Sequence, residues 1–233
     1  MVELIRWPEA ATVDRAIPKE RLYAEAHAST GLKLRFVDEV QRVRWAYKLG
    51  EESVRLPPGD FVTEIQVVAI DLKGSDLDNA VLAAIDKTIP SQIIFELRRD
   101  DGLGTEWAQT AAYKRSGGRT KSTDYFSTGW IGSDLPRMPL PTSLDMDGLY
   151  GRLLGHLLPH PMRSGEGLSD ALERMSRIRN LGGEISLLEK RLRTEVQFNR
   201  KVELHHQLGA RQGELNELTM NEDRMPEDAA WRS

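Results

Sequence analysis

The chain has 233 residues, with 32 Lys and Arg against 36 Asp and Glu, and its formal net charge is -4. Hydrophobic residues make up 39% and charged residues 29%, which is typical of a folded globular protein and excludes a disordered or fibrous one. The absence of cysteine excludes disulfides and thiolate metal sites and is compatible with a reducing compartment, so we expect a cytoplasmic protein. Its apolar runs are too short to span a bilayer, so we expect no contact with a membrane.

The first 50 residues predict one helix followed by one strand. Residues 1–16 have no clear period and are expected to lie on the surface. Pro18 opens a predicted helix, because proline is tolerated in the first helical turn, and Gly31 is its expected stop. Apolar and polar residues then alternate, which predicts a strand with one apolar face. That face is formed by Val43, Trp45, Tyr47 and Leu49.

The middle of the chain alternates between strand and helix patterns. Residues 64–73, EIQVVAIDLK, are apolar on both faces at their centre, which predicts a central strand covered on both sides. Ser75 and Asp78 indicate a helix start, and Pro90 ends that helix. Three further predicted strands contain QIIFEL, WAQTAAYK and DYFSTGW. The order of elements predicts an α/β (α+β) domain, with a small mixed sheet flanked by helices.

An amphipathic helix closes this domain and a different composition follows it. Residues 143–159 carry one broad apolar stripe, which we expect to dock on the sheet. We therefore assign residues 1–160 to the α/β domain, 161–169 to a linker, 170–220 to a helical, coiled-coil-like segment and 221–233 to a flexible tail.

The C-terminal segment carries apolar residues at alternating spacings of three and four, which is the pattern of a coiled-coil seam. A second seam is out of phase with the first around Glu195–Asn199, so the helix either has a register fault there or bends. An apolar rod of this kind needs a partner helix, from this chain or from another copy. The predicted seam consists of Ile178, Ile185, Leu188, Leu192, Leu204, Leu208 and Leu215.

Several of these patches, in the same order, resemble a bacterial and archaeal family, the domain of unknown function 4391. The resemblance is carried by IPKERLY, VRWAYKLGEESV, TEIQVVAIDLK, AAIDKTIPSQIIFEL, the AYK of the fourth strand, YFSTGW and LDMDGLYGRLL, and it extends into EKRLRTEVQFNRKVELHHQL. The family often has an aromatic residue and a histidine where this chain has Ser91 and Gln92. The resemblance implies no activity. It implies a context, since such proteins are similar to accessory components encoded beside helicases and DNA methyltransferases of restriction-like phage-defence loci.

One enzymatic hypothesis is a metal-dependent nuclease. Such sites place an acidic residue before a strand and a second acidic residue two positions from a lysine on that strand, to hold a divalent ion and stabilise phosphate charge. Asp60, Asp71 and Lys73 have this order, and Asp71 and Lys73 would share one strand face. Solvated strand ends often show the same pattern, so we assign no residue as catalytic. We also expect no cofactor, because only the nuclease alternative requires a divalent metal.

A third hypothesis is a nucleic-acid-binding adaptor. Aromatic residues interleaved with lysines on a sheet can stack bases and hold phosphates. Trp45 and Tyr47, however, share a predicted strand face with Val43 and Leu49, which favours a place in the core. The outward cations would be Lys48 and Lys114, together with Arg119 and Lys121 in a hairpin. His156 and His160 lack a third ligand, and a metal site is not expected there.

Of these readings, the sequence favours a non-catalytic accessory protein that works by assembly. Its helical segment would form a homodimer or grip a protein partner, which the resemblance implies is a helicase or methyltransferase component. DNA remains a possible partner under the other two hypotheses.

Overall fold

A computed structural model describes residues 3–100, 102, 104–114 and 120–220, with only the backbone of 120–123. By its internal contacts the chain divides into two compact units, Met1–Leu158 and Pro159–Ser233. The predicted tail, 221–233, lies outside the described residues. None of the described helices combines the length and the apolar character that crossing a membrane requires.

The first unit is built on a seven-stranded sheet, and its mixed α and β composition confirms the predicted class. Six strands lie side by side in chain order and the seventh, β7, pairs with β5. Among the strands that the structure describes, β3 and β4 pair in parallel and the other strand pairs are antiparallel. The strands are β1 (Thr12–Ala16), β2 (Val40–Leu49), β3 (Ile65–Leu72), β4 (Gln92–Asp100), β5 (Thr105–Lys114), β6 (Thr120–Ser127) and β7 (Ile131–Gly132).

The predicted central strand is confirmed. Every residue of β3 is buried, and β3 lies between β2 and β4. A parallel pair needs a crossover connection, and here the helix α4 (Asn79–Thr88) provides it. Asp78, rather than Ser75, caps α4, because its carboxylate accepts a hydrogen bond from the Ala80 amide.

The N-terminal region differs from the sequence prediction. Residues predicted to lie on the surface include the buried Leu4, Ile5 and Trp7, and the edge strand β1. Gly31 does not end a helix. The helix α1 (Lys19–Glu25) ends earlier, and Gly31 lies in the first turn of α2 (Thr30–Glu39). Short helices such as these depend on tertiary packing, here through Leu22 and Phe36, and the local pattern alone does not separate them.

A register shift in β2 changes which residues share a face. The pairing of β2 with β3 is irregular between Trp45 and Tyr47. A β-bulge inserts an extra residue and so reverses the inward and outward alternation beyond it. The prediction that these two rings lie on one face is therefore wrong, and they line two different clefts.

The helix α5 (Met146–Leu157) confirms the prediction of an amphipathic helix docked on the sheet. Its apolar stripe is buried, and the Tyr150 hydroxyl donates to the Ala112 carbonyl of β5 and accepts from the Lys114 amide, each at 3.0 Å. The four-residue helix α3 (Glu51–Val54) follows β2.

The second unit contains two long helices that form an antiparallel hairpin. They are α6 (Leu168–Thr194) and α7 (Phe198–Thr219). Arg177 pairs with Glu214, and Arg211 pairs with Glu184, so the chain reverses between the helices. The out-of-phase region predicted from the sequence is thus a bend at residues 195–197. The helix α6 continues without interruption through Gly182 and Gly183.

Candidate functional site

The first unit has a cleft of about 420 Å³ on the face of the sheet that carries α1 and α4. We call it the Glu64 cleft. One part of its lining, which we call the floor, consists of Trp45 of β2, Glu64 just before β3, and Gln66 of β3. Its walls and mouth are supplied by β1, by α1 with the residues before it, and by the chain that leaves α4: Arg15, Ile17, Pro18, Arg21, Leu22, Glu25, Ile89, Pro90 and Ser91.

Glu64 is the centre of a hydrogen-bonded cluster in this cleft. Its Oε1 accepts from Gln66 Nε2 at 2.7 Å and from Ser91 Oγ at 2.9 Å. Its Oε2 lies 2.7 Å from the ammonium of Lys48. Burial alone would raise the pKa of Glu64, but these hydrogen bonds and the Lys48 charge outweigh burial and hold the pKa below its ordinary value. The same pair raises the pKa of Lys48. Glu64 is therefore held ionised as an acceptor.

Two polar atoms of the floor lack a partner. Gln66 is only 5% exposed, and its Oε1 has no hydrogen bond. The Nε1 of Trp45 is buried and also has none. Because the carboxylate of Glu64 can only accept, it fixes the amide nitrogen of Gln66 and so the orientation of Oε1. Both atoms are shielded from solvent, so one acceptor and one donor stay unpaired beneath the surface of the cleft.

The Glu64 pKa leads to a pH prediction. A carboxyl with a depressed folded pKa stabilises the fold above its unfolded value of about 4.3, and this contribution is lost as pH falls through the folded value. We expect the wild type to lose more unfolding free energy between pH 7 and pH 3 than Glu64→Gln does, as measured by urea unfolding at both pH values. Equal losses would contradict the assigned ion pair and hydrogen bonds.

A second cleft, also of about 420 Å³, is lined by Tyr47 of β2. In it Glu96 accepts from Trp7 Nε1 at 2.9 Å and pairs with Arg137, whose guanidinium lies 5.0 Å from the ring centroid of Trp107. Tyr47 packs against Trp7 at 6.2 Å between centroids. The ion pair and the ring contacts give Glu96, Trp7 and Arg137 partners, and the Nε of Arg44, which also lines this cleft, is buried without a hydrogen bond.

The structure does not bring the three nuclease candidates together. Asp60 precedes β3 and Asp71 lies near its far end, about 20 Å from Ile65 at 3.3 Å per residue. Asp71 is buried and pairs with Arg42 at 2.7 Å, while Lys73 donates to the Val37 carbonyl. Among the described residues, no group of three His, Cys, Asp or Glu side chains is placed to hold a metal ion. The geometry therefore gives the nuclease hypothesis no support.

The predicted nucleic-acid-binding residues have different environments. Lys48 is half-exposed and belongs to the Glu64 cluster. The prediction that Lys114 faces outward is wrong, because its side chain is fully buried. Arg119 and the side chain of Lys121 lie outside the described residues.

Lys114 is buried because it binds the C-terminal end of α4. Its ammonium donates to the Asp86 carbonyl at 2.6 Å, to the Asp86 carboxylate at 3.0 Å and to the Ile89 carbonyl. A cation there satisfies helix carbonyls that have no intrahelical partner and complements the helix dipole. Burial lowers the pKa of Lys114, and Asp86 opposes that shift.

The predicted seam residues lie on the helical hairpin, and all are partly buried. No residue of α7 is fully buried. A groove of about 460 Å³ runs between the two helices and is lined by Leu187, Leu188 and Ala210 among charged residues. Near the bend the hairpin exposes large apolar side chains, which we call the apolar tip: Leu187, Val196, Phe198 and Val202.

Sequence reasoning did not assign the Glu64 cleft. The available signal was Gln66, a polar residue inside the otherwise apolar β3. Its meaning depends on Ser91, which is 25 residues away in the chain and reaches Glu64 only because β3 and β4 are parallel neighbours.

Comparison with known protein families matches residues 5–215 to DUF4391, a domain of unknown function. No curated protein and no solved structure matches the chain. The family match covers most of the chain and includes both the Glu64 cleft and the apolar tip. The chain therefore belongs to the DUF4391 family.

Proposed function

We propose that this chain is a non-catalytic accessory protein that works by assembly, and that its helical hairpin supplies the contact surface. The observation that carries this proposal is the incomplete burial of the hairpin. Phe198 is 77% exposed and Val196 is 89% exposed, at the bend where the apolar tip is formed. Two helices alone cover only part of an apolar seam, and a third or fourth helix completes it.

The proposed kind of partner rests on the context that the resemblance implies, and not on the geometry. The partner is a second copy of the chain, a helicase or methyltransferase component of a phage-defence system, or both. The charges of the hairpin suit a protein partner better than DNA, because Lys190, Arg191 and Arg193 are interspersed with Glu189 and Glu195.

The test is co-purification of the tagged full chain with a helicase or methyltransferase encoded beside it. Burying Val and Phe side chains contributes about 1.5–3 kcal/mol each, so we expect Val196→Ser with Phe198→Ser to weaken the complex at least tenfold. Leu144→Ser is the matched control, since Leu144 is 91% exposed and lies in the first unit.

The side chains of Val196, Phe198 and Leu144 are all mostly exposed. Both variant proteins should therefore keep the thermal unfolding midpoint of the wild type. Loss of the complex in the tip variant, with its retention in the control, supports the proposal. Equal retention in both would contradict a role for the apolar tip.

A further inference from the structure

The face of the sheet opposite to α4 carries a row of charged side chains. Arg42 of β2 pairs in register with Asp71 of β3, and Asp71 pairs with Arg98 of β4. Arg98 pairs in turn with Trp107 of β5. Residues paired directly across neighbouring strands share a face, and the side chains that alternate with these along β3 and β4 belong to the core beneath α4. The row therefore crosses three strand spacings, about 14 Å, on the other face.

In this row the carboxylate lies beneath the cations. Asp71 pairs with Arg42 at 2.7 Å and with Arg98 at 3.9 Å. Its side chain is 8% exposed, whereas those of Arg42 and Arg98 are 55% and 41% exposed. A partner that approaches the sheet therefore meets the guanidiniums and not the carboxylate. The carboxylate also holds the arginines near one position, so less side-chain freedom is lost on binding.

The second cleft adjoins this row, because Trp107 belongs to both. Row and cleft together bring five arginines to one side of the sheet, which we call the arginine face: Arg6, Arg42, Arg44, Arg98 and Arg137. Three carboxylates pair with these arginines, namely Asp14, Asp71 and Glu96, and the last two are buried. Cations thus outnumber carboxylates here, although the whole chain has a net charge of -4.

Two arginines of this face have accessible hydrogen-bond donors to spare. Within the described part of the chain, the Arg98 guanidinium has no hydrogen bond, and it lies 5.8 Å from the ring centroid of Trp107. Arg6 is exposed, and its guanidinium makes one hydrogen bond, to the Arg137 carbonyl at 3.5 Å. A guanidinium fork matches the oxygens of a phosphate group through two parallel hydrogen bonds.

We propose that the arginine face binds the sugar–phosphate backbone of a nucleic acid. Phosphates recur at short, regular intervals along a strand, so a row of guanidiniums about 14 Å long meets several of them. Contacts to the backbone carry no base information, so the face does not select a sequence. A duplex and a single strand share this chemistry. The arginine face lies in the first unit and does not depend on the apolar tip of the second.

The first experiment is a fluorescence anisotropy titration of a labelled duplex of about 20 base pairs, or two helical turns, and of one of its strands, with the full chain. If the exposed guanidiniums of Arg6, Arg42 and Arg98 each neutralise one phosphate, affinity should fall at least tenfold between about 50 and 200 mM salt. No binding of either probe at about 50 mM salt with about 100 μM protein, or binding that salt does not weaken, would overturn the proposal.

Arg6→Gln with Arg98→Gln removes the two guanidiniums that have no close ion pair, so this double variant should keep the thermal unfolding midpoint of the wild type. We expect its affinity at about 50 mM salt to be at least tenfold lower, and its loss of affinity up to about 200 mM salt to shrink to less than about fourfold.

The matched control is Arg21→Gln with Arg35→Gln. It removes the same charge from α1 and α2, which pack on the side of the sheet that carries α4, and both arginines are exposed members of surface ion pairs. The control should bind as the wild type does. Equal losses in the two double variants would overturn the assignment, because the net charge of the chain would then explain the binding.

Competition with polyglutamate separates a nucleic acid from an acidic protein as the partner. We expect polyglutamate to displace the bound probe only at tenfold or higher concentration of charge. Displacement at an equal or lower concentration would overturn the proposal in favour of an acidic protein. Tighter binding of the duplex or of the single strand identifies the source of the backbone. These wild-type measurements decide the proposal if the variant of Arg6 and Arg98 does not fold.

Discussion

Lys114→Met should lower the free energy of unfolding by about 3–5 kcal/mol, the range expected when one partner of a buried ion pair is removed. The substitution leaves the carboxylate of Asp86 buried without its cation and takes the donor from the Asp86 and Ile89 carbonyls. Methionine fills a similar volume, so a cavity is not the cause. The measurement is urea unfolding at pH 7, followed by tryptophan fluorescence.

Lys48→Met is the matched control for this prediction. Lys48 also forms an ion pair with a carboxylate, but its side chain is 47% exposed, whereas that of Lys114 is fully buried. Exposed pairs contribute about 0–1 kcal/mol, so the control should change stability by no more than that. Similar losses in the two variants would contradict the assigned role of Lys114 in holding the end of α4.

Arg174→Met should unfold the helical hairpin while the first unit stays folded. Arg174 donates to both carboxylate oxygens of Glu166 at 2.7 Å and to the Pro161 carbonyl at 2.9 Å. The hydrogen bond from Arg174 is the main reason that the pKa of Glu166 lies below its ordinary value. This buried pair joins the start of the second unit to α6, and its loss should cost about 3–5 kcal/mol.

The control here is Arg177→Met. Arg177 pairs with Glu214 across the same two helices, but its side chain is 64% exposed, so we expect a loss of no more than about 1 kcal/mol. Hydrogen exchange should show that amides of 168–219 lose protection in Arg174→Met and keep it in Arg177→Met. Retained protection in Arg174→Met would show that the buried pair does not hold the hairpin.

Much of the architecture could be predicted because its signals are local. The apolar run of β3 indicates a strand covered on both faces, and the stripe of α5 indicates a helix docked on a sheet. The change of phase near Glu195 likewise marks the bend between α6 and α7. In each of these segments the spacing of the apolar residues is enough to predict which side chains are buried.

The features that sequence could not predict depend on contacts distant in the chain. The irregular pairing between Trp45 and Tyr47 exists only in the register with β3, so strict alternation placed both rings on one face. Lys114 is the last residue of β5 and so resembles a solvated cation at a strand end, and its burial becomes evident only when the end of α4 is placed beside it. The Glu64 cleft likewise needs β3, β4 and α1 together.

Light scattering of the purified full chain tests assembly through the helical hairpin most directly. If the chain self-associates, its mass at micromolar concentration should be that of a dimer, and Val196→Ser with Phe198→Ser should return it to the monomer. If the partner is a different protein, the monomer should gain the mass of an added helicase or methyltransferase component, and the tip variant should not. A wild-type monomer that gains no mass from either component would contradict assembly through the hairpin.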